Sequence, residues 1–211
     1  MNLREFRARP LLGILRHITE KELVPVFEVS IEAGLRHLEI ALNTKNAFRL
    51  IGRARKLFGK EAVIGAGTVL SPEEARSAFL AGATFLVSPS FSAEIASYCA
   101  KNGVPYFPGA LTPSEIYTAW SHGAAMVKVF PASLFGPEYF KEIKAPFSSV
   151  KLMAVGGVTP ENMADYFRCG ASAVAFGGSV FQRGWIESKN WKAIGSLIRK
   201  YVALQKRSVC S

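Results

Sequence analysis

Cysteine is scarce, with three in 211 residues. Cys99, Cys169 and Cys210 lie far apart and are odd in number. They imply neither a disulfide framework nor a paired metal-ligand spacing. Long apolar runs are missing: none approaches the roughly 18 residues of a membrane span. Residues 1–10 are polar and basic and lack the apolar stretch of a secretory signal. The expectation is a protein of the reducing cytoplasm with no membrane partner. Blocks of like charge are missing too. Lysine and arginine number 26 against 16 acidic residues, a formal charge of +10. The basic residues are nevertheless scattered, the densest groups being Arg53-Ala54-Arg55-Lys56 and Lys206-Arg207. Such scatter argues against a nucleic-acid partner. It suits a solvated surface, or a positive field that draws in a small anionic metabolite. The three histidines, His17, His37 and His122, are not spaced as a metal cluster.

What is present is a repeating pattern. With 49% hydrophobic residues the chain can fill one sizeable core. A helix-like segment, a glycine and a short apolar strand recur around Gly34, Gly82, Gly103, Gly123 and Gly170. Glycine just past a helix end takes the left-handed cap conformation cheaply. Ser71-Pro72-Glu73-Glu74 and Thr112-Pro113-Ser114-Glu115 read as capping boxes with proline at the first helical position. Thr19-Glu20-Lys21-Glu22 is a box without the proline, and Thr159-Pro160 repeats the cap and proline. Expected strands cover residues 11–15, 37–42, 62–69, 84–90, 104–110, 126–132, 150–155 and 173–180, each followed by a helical pattern. Alternating units imply parallel strands with right-handed crossovers. Eight units in about 200 residues predict an α/β fold, a single (β/α)8 TIM barrel. An open doubly wound sheet is the alternative, but the junction Leu15-Arg16-His17-Ile18-Thr19 has no G-x-G-x-x-G to support it. No linker or low-complexity stretch interrupts the pattern. Residues 1–211 therefore read as one domain, with 1–9 an N-terminal extension, a final helix over 188–205, and 206–211 a polar tail.

Chemistry in such barrels lies at the C-terminal ends of the strands. The most informative residue is Lys128, inside the apolar strand Met126-Val127-Lys128-Val129-Phe130. A charged, unpaired ammonium there costs several kcal/mol. Burial therefore favours the neutral amine, the nucleophile that Schiff-base chemistry needs. Strand alternation turns Leu38, Ile40 and Leu42 outward and Glu39, Ala41 and Asn43 inward. It likewise turns Val127 and Val129 outward and Met126, Lys128 and Phe130 inward. Glu39 and Lys128 thus meet inside one barrel, as a catalytic acid–amine pair or as a structural ion pair. Lys128 alone could also snorkel to the mouth. His37 falls low in the barrel, where a core histidine is expected. Gly156-Gly157 and Gly177-Gly178, the latter followed by Ser179, end the seventh and eighth strands. Bare backbone N–H groups there suit a phosphate; tight turns are the plain alternative. Arg16, ending the first strand, could clamp a carboxylate bidentately, with Thr68 donating to the same group. A surface arginine and a turn threonine are the corresponding plain alternatives.

Four stretches together carry a family resemblance: Leu38-Glu39-Ile40, Ile64-Gly65-Ala66-Gly67-Thr68-Val69, Lys128-Val129-Phe130-Pro131 and Ala154-Val155-Gly156-Gly157-Val158. Over about residues 10–202 the chain resembles the bacterial class I 2-keto-3-deoxy-6-phosphogluconate and 6-phosphogalactonate aldolases. The resemblance implies that Lys128 is the Schiff-base lysine and Glu39 the general acid/base. It implies that Arg16 and Thr68 hold the pyruvate carboxylate and that Pro89 walls the pocket. Gly156, Gly157, Gly177, Gly178 and Ser179 correspond to the phosphate cradle. No metal or organic cofactor is implied, because the lysine supplies the electrophile, and a homotrimer is the expected assembly.

Two positions separate the substrate branches. Many phosphogluconate aldolases carry an arginine where this chain has Asn43, and a threonine where it has Val155. Both features resemble the phosphogalactonate branch, as does Phe135-Gly136-Pro137. The expected activity is reversible cleavage of 2-dehydro-3-deoxy-6-phosphogalactonate to pyruvate and D-glyceraldehyde 3-phosphate. A 2-dehydro-3-deoxy-6-phosphogluconate or 4-hydroxy-2-oxoglutarate aldolase is the near alternative. A phosphate-binding barrel isomerase or epimerase, or a non-catalytic binder of a sugar acid phosphate, is the distant one.

Overall fold

The computed structural model describes residues 1–208. Helix α1 (Leu3–Ala8) leads into β1 (Leu11–Leu15), and the chain then alternates. The first units are α2 (Glu20–Glu32), β2 (His37–Ala41), α3 (Ala47–Phe58), β3 (Val63–Gly67), α4 (Pro72–Leu80), β4 (Leu86–Val87) and α5 (Ala93–Asn102). β5 (Tyr106–Phe107), β6 (Gly109–Ala110), α6 (Pro113–Ser121) and β7 (Val127–Val129) follow. A 3-10 turn (Ala132–Leu134), α7 (Gly136–Lys144), β8 (Leu152–Val155), α8 (Met163–Arg168), β9 (Ala173–Phe176), α9 (Arg183–Glu187) and α10 (Trp191–Ser208) complete the order. The nine strands are all parallel and run β5-β4-β3-β2-β1-β9-β8-β7-β6. They form a nearly closed TIM-type barrel.

The gap in the ring lies at one residue. Pro108 has no N–H to give to a ladder, so the expected strand over 104–110 appears as two pieces. β5 pairs with β4 through Tyr106↔Leu86, and β6 pairs with β7 through Gly109↔Lys128. The Pro108 carbonyl still accepts the Lys128 N–H at 2.8 Å, which bridges the break.

The helix signals act largely as expected. Thr19/Glu22 and Thr112/Glu115 form reciprocal capping boxes, and Ser71 caps α4 with Pro72 in its first turn. Gly34, Gly82, Gly103, Gly123 and Gly170 all take positive φ. Thr159-Pro160 does not start a helix. Asn162 instead accepts the Thr159 N–H and donates to the Gly157 carbonyl, and α8 begins after it. The expected polar tail is also shorter: α10 continues through 206 to Ser208, with Ile194, Ile198, Tyr201 and Gln205 buried at helical spacing. Residues 209–211 of that tail lie outside the described residues.

Apolar side chains form two layers. Leu38, Ile40, Val127 and Val129 pack outward against the helices. Leu12, Phe85, Phe107, Met126 and Met153 fill the barrel interior. Each such side chain contributes about 1.5–3 kcal/mol on full burial. The stretch 1–9, expected as an extension, carries α1, capped by the Asn2 side chain. Its Phe6 is 1% exposed and packs edge-on to His37 at 4.8 Å and near Phe107 at 5.6 Å. The helix thereby plugs the N-terminal end of the barrel. No helix among the described residues is long and apolar enough to cross a membrane.

Candidate active site

Lys128 sits in the middle of β7, between β6 and β8, and is 6% exposed. Its Nζ lies 4.9 Å from the centre of the Phe130 ring. Burial lowers its pKa from the usual lysine range; Glu39 opposes that shift and Arg16 adds to it. Glu39, on β2 between Ile14 and Gly65, is 1% exposed. Burial pushes its carboxyl up to about 7, against the attraction of Lys128 and Arg16. Its Oε2 has no hydrogen-bond partner, and no ion pair joins it to Lys128 among the described residues. The two groups feel one another through space without being locked as a salt bridge. Desolvation drives the lysine toward the neutral amine and brings the Glu39 carboxyl to about 7, where it can give or take a proton near neutrality.

The Gly65-Ala66-Gly67 run makes this arrangement possible. A Cβ at Gly67 would overlap Glu39 Oε1, and one at Gly65 would overlap the Phe85 ring. The glycines leave the acid space inside a filled barrel.

Above the pair, a cavity of about 440 Å³ opens at the C-terminal mouth. It brings together Arg16, Val155, Gly156, Gly157, Gly177, Gly178 and Ser179. The Arg16 guanidinium is exposed and makes no hydrogen bond or ion pair among the described residues. Gly156 and Gly157 hold φ of 93° and 76° in the turn after β8. Ser133 packs so closely under Gly157 that no Cβ fits there, and its N–H binds the Gly156 carbonyl at 3.0 Å. Among the described residues, the N–H groups of Gly156, Gly157, Gly178 and Ser179 donate to no protein acceptor. Two sets of free donors facing one cavity make a cradle for an anion.

Five expected residues do not line that cavity: Lys128 and Glu39, buried in the barrel interior, and Pro89, Thr68 and Asn43. Pro89, half-buried after β4, lines an adjoining hollow that shares Phe130 with the first. Thr68, half-buried at the end of β3, holds a left-handed φ of 58°. That conformation is rare for a β-branched residue and costs on the order of 1–3 kcal/mol. Asn43 lines neither hollow. The strand ends at Ala41, where the Thr44 N–H turns back to the Ala41 carbonyl, and Asn43 is left exposed on the turn.

Two further residues belong to the mouth. Phe130 borders both hollows and covers Lys128, as its inward position two residues further on foretells. Arg183, at the start of α9, lines the cavity close to the second glycine pair. The only sequence signal for it is a basic residue soon after that turn.

Fold and site together define a parallel α/β barrel with a buried acid–amine pair beneath an anion-accepting mouth. The chain belongs to the KDPG and KHG aldolase family, whose model matches residues 3–197. It is thus an aldolase, a lyase. It is 34% identical over 193 residues to the 2-dehydro-3-deoxy-6-phosphogalactonate aldolase of Escherichia coli K12, covering 91% of this chain and 94% of that one. A solved structure described as native KDPGal superposes with a TM-score of 0.89 at 33% identity, covering 96% of this chain and 97% of that one. The KDPG aldolase of Legionella pneumophila, solved with pyruvate captured as a covalent carbinolamine, matches with a TM-score of 0.87 at 27% identity. The match covers 94% of this chain and 97% of that one.

Proposed function

We propose that this aldolase cleaves 2-dehydro-3-deoxy-6-phosphogalactonate reversibly to pyruvate and D-glyceraldehyde 3-phosphate through a Schiff base on Lys128. The observation that carries the reading is the Lys128 amine, buried but not sealed, next to a carboxyl with an unpartnered oxygen. The carbinolamine in the Legionella relative supports the covalent route. The amine attacks the C2 ketone, and loss of water gives a protonated imine. Glu39 takes the C4 hydroxyl proton; the C3–C4 electrons flow into the imine as an enamine, and the aldehyde phosphate leaves. Protonation at C3 and hydrolysis release pyruvate and restore the amine. Arg16 and Thr68 hold the carboxylate, the two glycine turns and Ser179 hold the phosphate, and Pro89 walls the pocket. Fixing both ends presents C2 to the amine, the kind of orientation that lowers a barrier. No metal or organic cofactor enters these steps.

The choice of C4 epimer rests on Val155, a methyl-bearing wall at the mouth that offers no hydroxyl. Asn43, exposed on its turn, lends little to that choice, which favours keeping 2-dehydro-3-deoxy-6-phosphogluconate and 4-hydroxy-2-oxoglutarate as the second reading. We further read the enzyme as a cytoplasmic homotrimer. Leu70, Tyr117, Leu134 and Phe135 offer exposed apolar surface for subunit contact, and the buried free thiols of Cys99 and Cys169 suit a reducing compartment. Borohydride with pyruvate should fix one adduct on Lys128, located by peptide mass. A coupled pyruvate-release assay should show faster turnover of the galactonate epimer than of the gluconate epimer or the unphosphorylated acid. An enzyme that turns over substrate without trapping would overturn the covalent reading.

A further inference from the structure

Two arginines, Arg16 and Arg183, line the mouth, and their surroundings differ. Every nitrogen of the Arg183 guanidinium is engaged. Nη1 and Nη2 grip Glu22 bidentately at 3.1 and 3.0 Å, and Nε donates to Glu187 at 2.8 Å. Nη1 also donates to the His17 carbonyl at 3.3 Å, 166 residues away in sequence. Two carboxylates thus offset its charge, whereas Arg16 makes no hydrogen bond or ion pair among the described residues and feels Glu39 only through space.

His17 directly follows Arg16 and holds a left-handed φ of 57°. That turn sets the direction in which the chain, and with it Arg16, leaves β1. It costs on the order of 1–3 kcal/mol and persists only where neighbours enforce it. The neighbours are visible. The His17 N–H donates to Thr44 Oγ1 at 3.0 Å, from a threonine that is 4% exposed. The His17 carbonyl is held by Arg183. Glu22 accepts the Thr19 N–H at 2.7 Å in the α2 capping box while gripping Arg183. The short loop from Arg16 to Thr19 is therefore pinned by β2's following turn on one side and by α9 on the other.

We propose that Arg183 is a positioning residue. It holds Arg16 in place through His17 and Glu22, and does not itself bind the anionic groups of the substrate. The inference rests on the reading of Arg16 as the carboxylate clamp. An exposed ion pair adds little to stability, so the effect belongs in binding of the keto acid rather than in unfolding.

The test compares Arg183→Met, Thr44→Val, Thr44→Ser, Arg16→Met and the Arg16→Met/Arg183→Met double variant. In each, pyruvate is titrated against borohydride trapping, and KM for glyceraldehyde 3-phosphate is measured in the synthetic direction. Arg183→Met and Thr44→Val should each raise the half-saturating pyruvate about tenfold, the scale of losing one well-aligned charged contact. KM for the aldehyde phosphate should stay within about twofold, and Thr44→Ser, which keeps the hydroxyl, should behave as wild type. The double variant should be no worse than Arg16→Met alone, because both changes remove one interaction. Hydrogen exchange at the 17–19 amides should speed up in Arg183→Met and Thr44→Val but not in Thr44→Ser. A rise in KM for the aldehyde phosphate with pyruvate unaffected would make Arg183 a direct phosphate ligand and overturn the proposal. Additive losses or unchanged exchange would overturn it as well. If wild-type enzyme traps no pyruvate, the aldolase mechanism on Lys128 fails instead, and the exchange measurement still judges the clamp.

Discussion

His37 and Glu39 stand two residues apart on one strand, both turned into the barrel and both buried. Burial acts on each in the same way, against the charged form. It lowers His37 to about 4, with Arg9, the N-terminal amine and Arg36 adding repulsion, and raises Glu39 to about 7. What differs is the surroundings. Below, Phe6 packs edge-on against His37, whose free side borders a hollow lined by Arg9, Arg36 and Lys60. Above, Glu39 shares the interior with Lys128, and the cavity opens over them at Phe130 and Val155. A perturbed pKa therefore marks both ends of this barrel, and the neighbours distinguish them: an amine faces the acid above, whereas cations surround the base below.

The sharpest way to break that contrast is at the mouth. Lys128→Ala should abolish pyruvate trapping and reduce cleavage by about 10⁴-fold or more, with the folded barrel retained. Far-ultraviolet circular dichroism beside the coupled assay checks both halves of that statement. Gly67→Ala comes next. The added methyl takes the space of Glu39 Oε1 and should lower kcat by about 10²–10³-fold, the scale of a displaced general acid/base. Trapping should survive in part, since the amine remains. At the other end the effect should move from rate to stability. Phe6→Ala should cost about 3–5 kcal/mol in urea unfolding and leave kcat per folded molecule unchanged. A fall in kcat without loss of stability there would erase the division between the two ends.

Much of this was legible in the chain because it is local. Caps and glycines mark several of the helices by neighbours within four residues, and a period of two places Glu39 and Lys128 inward without any tertiary information. What escaped depends on contacts that are distant in sequence. Phe6 is one aromatic in a basic stretch, and its meaning comes from His37 and Phe107. Arg183 looks like any surface arginine until the first and last βα units are brought side by side. Asn43 differs for another reason: alternation holds only while the ladder lasts, and its last bond, from the Leu42 N–H to the Gly67 carbonyl, stops one residue short. The break at Pro108 was visible in the residue itself, yet its consequence needed the two neighbours that pair with either piece.

The smallest predicted effect is also the one that sets the two ends directly against each other. A base whose folded pKa is depressed binds fewer protons folded than unfolded. Between about 4 and the ordinary imidazole value of 6.5, His37 therefore makes stability rise with pH. An acid whose folded pKa is raised binds more protons folded than unfolded. Between the ordinary carboxyl value of 4.5 and about 7, Glu39 makes stability fall as pH rises. Each contributes roughly 3 kcal/mol across its window, with opposite sign, so over the shared part of the range the two slopes largely cancel. Removing one exposes the other. Relative to wild type, Glu39→Gln should gain stability as pH rises through Glu39's window, whereas His37→Phe should gain stability as pH falls through His37's. Urea midpoints measured at half-unit steps across that range, read as differences from wild type so that the exposed carboxylates drop out, would show two lines of opposite slope. Two lines of the same slope would mean that one of these groups keeps its charge inside the barrel, and the symmetry between a desolvated base and a desolvated acid would be lost.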